Sequence, residues 1–246
     1  MAFLKGVMQF VGWEMINSLA LTLKKNRRYT IGSLKGINLG CGVDNPKDYL
    51  GIDGGLMIML RSFPSIVNKV LFRYFNMAEH YTFDQYFSKM RSSRVIHHEL
   101  KHGIPLDDDS VSAVFSSHFV EHLAKTQAIK LMRECYRALR PEGIIRICVP
   151  SLEVEVEEMQ RAIEHYRVGD VEQIQKYVTW ESVGFNNEYA NHRHMYDFGE
   201  MERLLTSVGF IGVSRKAYKV GDIPGVEVLD TREGLFVEDR KPHHSS

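Results

Sequence analysis

The run Ile37-Asn38-Leu39-Gly40-Cys41-Gly42, followed eleven residues after Gly42 by Asp53, carries the clearest chemical meaning in this chain. Its apolar part reads as a buried strand that ends in two glycines flanking a small residue. Glycine there permits positive φ and leaves no Cβ between the backbone and a ligand. A second short apolar stretch, Tyr49 to Ile52, stops at Asp53, and an acid at the tip of the second strand of a nucleotide-binding sheet can hold both hydroxyls of a ribose. A ribose-bearing cofactor is the first inference. A nicotinamide fingerprint is excluded, because the third position after Gly42 is Asn45 rather than glycine and the acid arrives too early. A second constellation, His118-Phe119-Val120-Glu121-His122, fits the H-x-x-E-H order of an inverted zinc-protease motif. It defines a rival reading, a zinc-dependent hydrolase using His118, Glu121 and His122. Against it, His118 falls at the end of an apolar run where no helix has begun, so no metal is expected.

Parallel strands and their helices must position these residues. The chain has 246 residues and 44% apolar content, enough for one α/β domain with a full core. Lys+Arg and Asp+Glu are both 31, a balance that argues against nucleic acid as a partner. Three scattered cysteines (Cys41, Cys135, Cys148) make neither a disulfide framework nor a C-x-x-C metal site, and a cytoplasmic setting is the expectation. Strand-like runs end at Leu39, Ile52, His98, Ser116 and Val149. Ala128, Leu131, Met132, Cys135, Ala138 and Leu139 recur at three- and four-residue spacing, predicting a helix with one apolar face before the strand 143–149. Strand, helix, strand in that order is a right-handed crossover of a parallel sheet. The expected fold is therefore α/β, a doubly wound, mostly parallel sheet with helices on both faces. Val43–Leu50 is too short for the usual first crossover helix, which should be reduced to a turn.

The expected organisation is an N-terminal helical extension (1–34), a single domain (35–240) and a disordered tail (241–246). Helical insertions are expected at 54–92, as core or a homodimer contact, and at 152–195, as a substrate cover. Residues 1–28 mix apolar and charged positions and end in Lys24, Lys25, Arg27 and Arg28. No run reaches the roughly 20 apolar residues of a spanning helix. The segment reads as an amphipathic helix that packs on the domain, with peripheral membrane contact as its alternative.

Gly103-Ile104-Pro105-Leu106-Asp107-Asp108-Asp109-Ser110-Val111, continuing through Ser117-His118-Phe119-Val120-Glu121-His122-Leu123, lies between the Leu39-Gly40-Cys41-Gly42 loop and Leu139-Arg140-Pro141-Glu142-Gly143. In this order the pieces resemble the class I S-adenosylmethionine-dependent methyltransferases, most closely the type 11 branch, over roughly residues 35–150, with a weaker echo at Phe198–Phe210 and in the last strand. The resemblance implies a Rossmann-like methyltransferase fold and S-adenosyl-L-methionine as cofactor. It implies that Gly40, Cys41 and Gly42 lie against the methionine part and that Asp53 binds the ribose. Glu99 would accept from the adenine amino group, Leu100 would offer its backbone N–H to the ring, and Ser117 and His118 would face the sulfonium end. Asn38 replaces an acid common in the family and would reach the cofactor's ammonium without full charge assistance.

A methyl group on a sulfonium needs chiefly to be lined up with its acceptor, and a base helps only where the acceptor carries a proton. His118 is the first candidate base. His122 and His194 follow, with Glu121, His192, Tyr196 and Asp197 behind them. A structural role is the stronger reading for His122, and helix capping is the alternative for Asp197. The aromatic and histidine-rich cover (Trp180, Phe185, Tyr189, His192, His194, Tyr196) suggests a small hydroxylated acceptor such as a sugar. A non-catalytic S-adenosylmethionine-binding protein is the remaining alternative.

Overall fold

A computed structural model describes residues 2–61, 63–74, 82–172, 174–175 and 192–243. Trp180, Phe185 and Tyr189, with most of the second half of the expected cover insertion 152–195, lie outside the described residues. Seven strands, β1 (Gly36–Leu39), β2 (Tyr49–Asp53), β3 (Arg94–His97), β4 (Val111–Ser117), β5 (Leu139–Val149), β6 (Ser214–Lys216) and β7 (Leu235–Arg240), form one sheet in the order β3-β2-β1-β4-β5-β7-β6. The first five are mutually parallel; β7 runs antiparallel to both β5 and β6. The order turns back at β1, between β2 and β4. Ligands bind outside the carboxyl ends of the strands at such a switch point.

Near-continuous burial along β1, β2, β4 and β5 explains why their sequences are apolar runs rather than alternating patterns. Helix α1 spans Ala2–Lys24, α2 Leu56–Leu60, α3 Ser65–Tyr74, α4 Phe83–Ser92, α5 Lys125–Ala138, α6 Leu152–Arg167, α7 Phe198–Thr206 and α8 Val226–Leu229. The predicted apolar face of α5 is the buried one: Ala128, Leu131, Met132, Cys135 and Ala138 all enter the main core. Truncating Leu131 to alanine there carries a cost of about 2–5 kcal/mol.

Residues 40–48 contain no helix, as the short spacing predicts. A side chain does the helix's joining work. Asn45 accepts from Asn38 Nδ2 (3.1 Å) and donates to the carbonyls of Tyr49 (2.7 Å) and Arg94 (3.2 Å), tying β1, β2 and β3 together. The Asn38 side chain is buried, and its Nδ2 makes this contact.

Helix α1 docks on the domain. Trp13 and Ala20 pack against Leu56, Met59 and Leu60 of α2. Asn17 donates to the Gly54 carbonyl (3.0 Å), and Lys24 Nζ lies 3.1 Å from His97 Nδ1. Lysine can only donate, so Nδ1 of His97 accepts and its Nε2–H donates to Asn17 Oδ1 (2.8 Å). The opposite side of α1 exposes Met15, Ile16, Leu19 and Leu23. No described helix is long and apolar enough to cross a membrane.

At the other edge, Arg146 is fully buried in β5. It binds Asp230 through Nε (3.0 Å) and Nη2 (2.5 Å), Glu238 through Nη1 (2.7 Å), and the carbonyls of Ala217 and Val220. This arrangement pins the loop between β6 and β7 to the sheet. Lys241, expected to begin a disordered tail, is also buried; it donates to Asp109 (2.6 Å) and to the Leu139 carbonyl (2.7 Å). Its ammonium also lies over the Tyr136 ring, 4.9 Å from the centroid, which a sequence ending in charged and polar residues does not advertise.

Candidate active site

At the carboxyl end of β1, Gly40 (φ 64°) and Gly42 (φ 53°) adopt left-handed conformations that favour glycine. A Cβ on Gly42 would meet nothing within 4 Å, so the turn is open at that point. One on Gly40 would lie 2.3 Å from the ring of Phe119, which rests directly on the backbone. Cys41 turns its sulfur toward Gly51 of β2, where an added Cβ would approach within 2.6 Å. Burial pushes the Cys41 thiol well above its ordinary range, which removes it as a thiolate nucleophile.

Asp53, at the tip of β2, closes this turn. Its Oδ2 accepts from the Gly42 N–H (2.8 Å) and its Oδ1 from the Gly55 N–H (2.6 Å). Burial raises its pKa and the two backbone donors oppose that rise; the neighbouring charge of Glu99 adds to it. Each carboxylate oxygen retains acceptor capacity beyond these bonds. Glu99 follows β3 and starts the short turn Leu100–His102; its carboxylate is mostly buried, 3.5 Å from Lys101 Nζ. A cavity of about 60 Å³ lies beside it, lined by Glu99, Leu100, Phe119, His122, Leu123 and Gln127 among others. The glycine turn and the two acids at successive strand tips offer hydrogen-bonding groups of the kind a nucleoside-bearing cofactor needs; the small cavity is lined by Glu99 but by none of Gly40, Gly42 and Asp53. The Phe119 ring occupies the surface over Gly40 that the rest of such a ligand would share.

Ser117 ends β4, and His118 follows with φ 50°, so the chain turns sharply before a single helical turn, Val120–His122. The H-x-x-E-H residues therefore do not share one helix face. His118 Nε2 lies 3.2 Å from the Glu233 carbonyl. A carbonyl only accepts, so this nitrogen carries the proton and Nδ1 of the neutral ring presents a lone pair. Burial lowers the His118 pKa, which favours that neutral form. Nδ1 is 3.5 Å from Glu121 Oε1.

Glu121 is wholly buried, and neither carboxylate oxygen has a hydrogen-bond partner among the described residues. Burial pushes its pKa up to about 7. Its backbone carbonyl accepts from the N–H groups of Arg193 (2.8 Å) and His194 (3.1 Å), which fastens residues 193–194 to the turn Val120–His122. Nε2 of His122 is 3.8 Å from Glu121 Oε1, and the His122 ring meets His192 edge-on with centroids 5.2 Å apart. His194 binds Glu200 (2.9 Å) and meets Tyr196 edge-on, whose buried hydroxyl has no partner among the described residues. Asp197 caps α7, its side chain accepting from Glu200 N–H (2.7 Å).

Sequence reasoning placed Gly40, Gly42, Asp53, Glu99, Ser117 and His118 along one sheet edge, where they are found. It missed Phe119 and the carbonyl of Glu233. A glycine preceding an aromatic by many residues is no signal of contact, and a backbone carbonyl leaves no trace in a side-chain pattern.

Residues 73–147 match the methyltransferase-domain family Methyltransf_11. No curated protein matches the chain. Among solved structures, a chain of the complex between the Haloferax volcanii Trm112 methyltransferase activator and a methyltransferase is 16% identical with a TM-score of 0.46, over 87% of this chain and 85% of that one. An S-adenosylmethionine-dependent methyltransferase from Archaeoglobus fulgidus is 14% identical, with a TM-score of 0.44 over 93% and 94%. Phosphoethanolamine N-methyltransferase 2 of Haemonchus contortus is 13% identical, with a TM-score of 0.45; the match covers 92% of this chain and 52% of that enzyme.

Proposed function

We propose that this chain, a class I S-adenosylmethionine-dependent methyltransferase fold whose residues 73–147 match the methyltransferase-domain family, transfers a methyl group from S-adenosylmethionine to a small hydroxylated acceptor. The observation that carries the reading is Asp53, whose carboxylate closes the Gly40–Gly42 turn at the sheet's switch point, one strand from Glu99. In this reading Asp53 accepts from the ribose hydroxyls through its remaining lone pairs. Glu99 and the Leu100 N–H recognise the adenine edge, and Gly40, Cys41, Gly42 and Ser117 line the methionine end. Bound S-adenosylmethionine would supply a methyl group already activated on a positively charged sulfur.

The protein's work is then placement and one proton. His118 follows β4 with its Nε2–H on the Glu233 carbonyl and its Nδ1 3.5 Å from buried Glu121; as the base of this reading it would turn that lone pair from Glu121 to the proton of an acceptor hydroxyl. His122 and His194 are secondary candidates. His194 and Tyr196, whose rings meet edge-on, would belong to acceptor recognition in this reading.

Calorimetry with S-adenosylmethionine and its demethylated product tests the first half, with stoichiometric binding of both expected. A screen of hydroxylated acceptors, read by mass spectrometry of methylated product, tests the second. Absence of cofactor binding refutes the enzyme reading, and binding without turnover on any acceptor leaves the non-catalytic alternative. Replacing His194 and Tyr196 by alanine should impair acceptor use with cofactor affinity intact; equal loss of both rejects that division of labour.

A further inference from the structure

A buried carboxylate without donors is costly, and Glu121 is such a group. The described residues around its two oxygens supply no hydrogen bond, although ring nitrogens of His118 and His122 lie at 3.5 and 3.8 Å. His118 offers a lone pair toward it, so it cannot serve as the missing donor in its neutral form. On the solvent side stands His192. One ligand atom from each of Glu121, His122 and His192 falls within 4.8 Å of the others. We propose that Glu121, His122 and His192 bind a divalent transition-metal cation at the mouth of the cleft.

Carboxylate oxygens and imidazole nitrogens bind zinc at about 2.0–2.2 Å, so the three atoms need to draw together by only about an ångström. Two imidazoles with one carboxylate favour Zn²⁺ or Co²⁺ over Mg²⁺, which prefers oxygen donors. The cation would give Glu121 the partner that the protein withholds. The Arg193 and His194 N–H groups bound to the Glu121 carbonyl already hold residues 192–194 against the buried acid. Exposed His192 and half-buried His122 leave an approach from solvent.

Three protein ligands leave coordination positions for water or substrate. His122 also lines the cavity beside Glu99 and Leu100, so an acceptor hydroxyl on the metal would stand next to the cofactor cleft and have its pKa lowered there. That role rests on the methyltransferase reading; the binding site does not. This donor set differs from that of the H-x-x-E-H motif: His192 takes the place of His118, and Glu121 is a ligand.

The test is calorimetric titration of chelator-treated full-length protein with Zn²⁺, Co²⁺ and Mg²⁺ separately, without cofactor. One Zn²⁺ and one Co²⁺ per chain are expected, with Mg²⁺ much weaker. His192→Ala, at an exposed position, should weaken Zn²⁺ more than about 100-fold, beyond the 10–100-fold typical of outer-shell changes. His122→Ala and Glu121→Gln should do the same, while a double His243→Ala, His244→Ala variant controls for the tail. The absence of saturable one-to-one binding overturns the proposal. So does binding that survives His192→Ala, or that disappears with the tail histidines. Metal binding with no S-adenosylmethionine binding would keep the site and remove its catalytic role.

Discussion

Asp53→Asn separates the two tasks assigned to this carboxylate. In the free protein Oδ2 and Oδ1 each take one backbone N–H, from Gly42 and Gly55. Asparagine keeps one acceptor oxygen, so one of these N–H groups must face an NH₂ donor. Gly42 and Gly55 are both exposed, and water can satisfy the displaced group. The loss of stability should therefore stay under about 1 kcal/mol, at the low end for a hydrogen bond. The ligand loses more. Hydrogen bonds to a charged acceptor contribute about 1.5–3 kcal/mol, which converts to a roughly 10- to 150-fold weaker Kd at 1.4 kcal/mol per decade. Calorimetry with S-adenosylhomocysteine gives the affinity and thermal unfolding gives the stability. An affinity within threefold of the parent would refute the ribose assignment. A large drop in Tm without ligand would show instead that the carboxylate matters mainly as a clasp of the turn.

Three further outcomes follow from the geometry. Gly40→Ala should destabilise by about 2–5 kcal/mol, combining 1–2 for a left-handed alanine with 1–3 for overlap with Phe119; urea unfolding of the single and double variants with Phe119→Ala should return the overlap share as a coupling energy. Arg146→Met leaves Asp230 and Glu238 buried without their partner and should cost about 3–5 kcal/mol in urea unfolding, with Arg146→Lys rescuing little because one ammonium cannot reproduce the fork. His97 is held to a pKa of about 4, first by burial and then by the charge of Lys24. Above pH 6.5 it is neutral in both states and contributes no pH dependence. As pH falls from 6.5 toward 4 the unfolded chain takes up the proton first, so stability should drop by on the order of 1–3 kcal/mol. Urea midpoints of the parent and of His97→Gln between pH 7.5 and 4.5 isolate this group, and parallel curves would refute it.

The five parallel strands and the apolar face of α5 were legible because burial on both faces writes itself as uninterrupted apolar runs and burial on one face as helical spacing. So was the missing first helix, since too few residues separate Leu39 from Tyr49. What replaced that helix was not legible. Asn45 looks like any loop asparagine, and its value lies in carbonyls of two strands far apart in sequence. Arg146 did interrupt an apolar strand visibly, yet Asp230 and Glu238 stand in no pattern that marks them as its partners. The candidate site divides the same way. Residues at strand tips were found from local motifs. His192 could be named but not paired with His122, because their approach depends on how the cover segment returns to Glu121.

The same long-range contacts tie stability to chemistry. Arg146 holds Asp230 and Glu238, and Asp230 in turn accepts from the Lys219 N–H (2.7 Å), so both ends of the loop before β7 are fixed from one buried cation. Glu233 lies in the short stretch between Asp230 and β7, and its carbonyl sets which nitrogen of His118 is bare. Loosening the trio would free that carbonyl and release the imidazole to rotate, although no member of the trio touches the glycine turn. A buried ion cluster that is weak as a source of net stability can therefore still decide the orientation of a base.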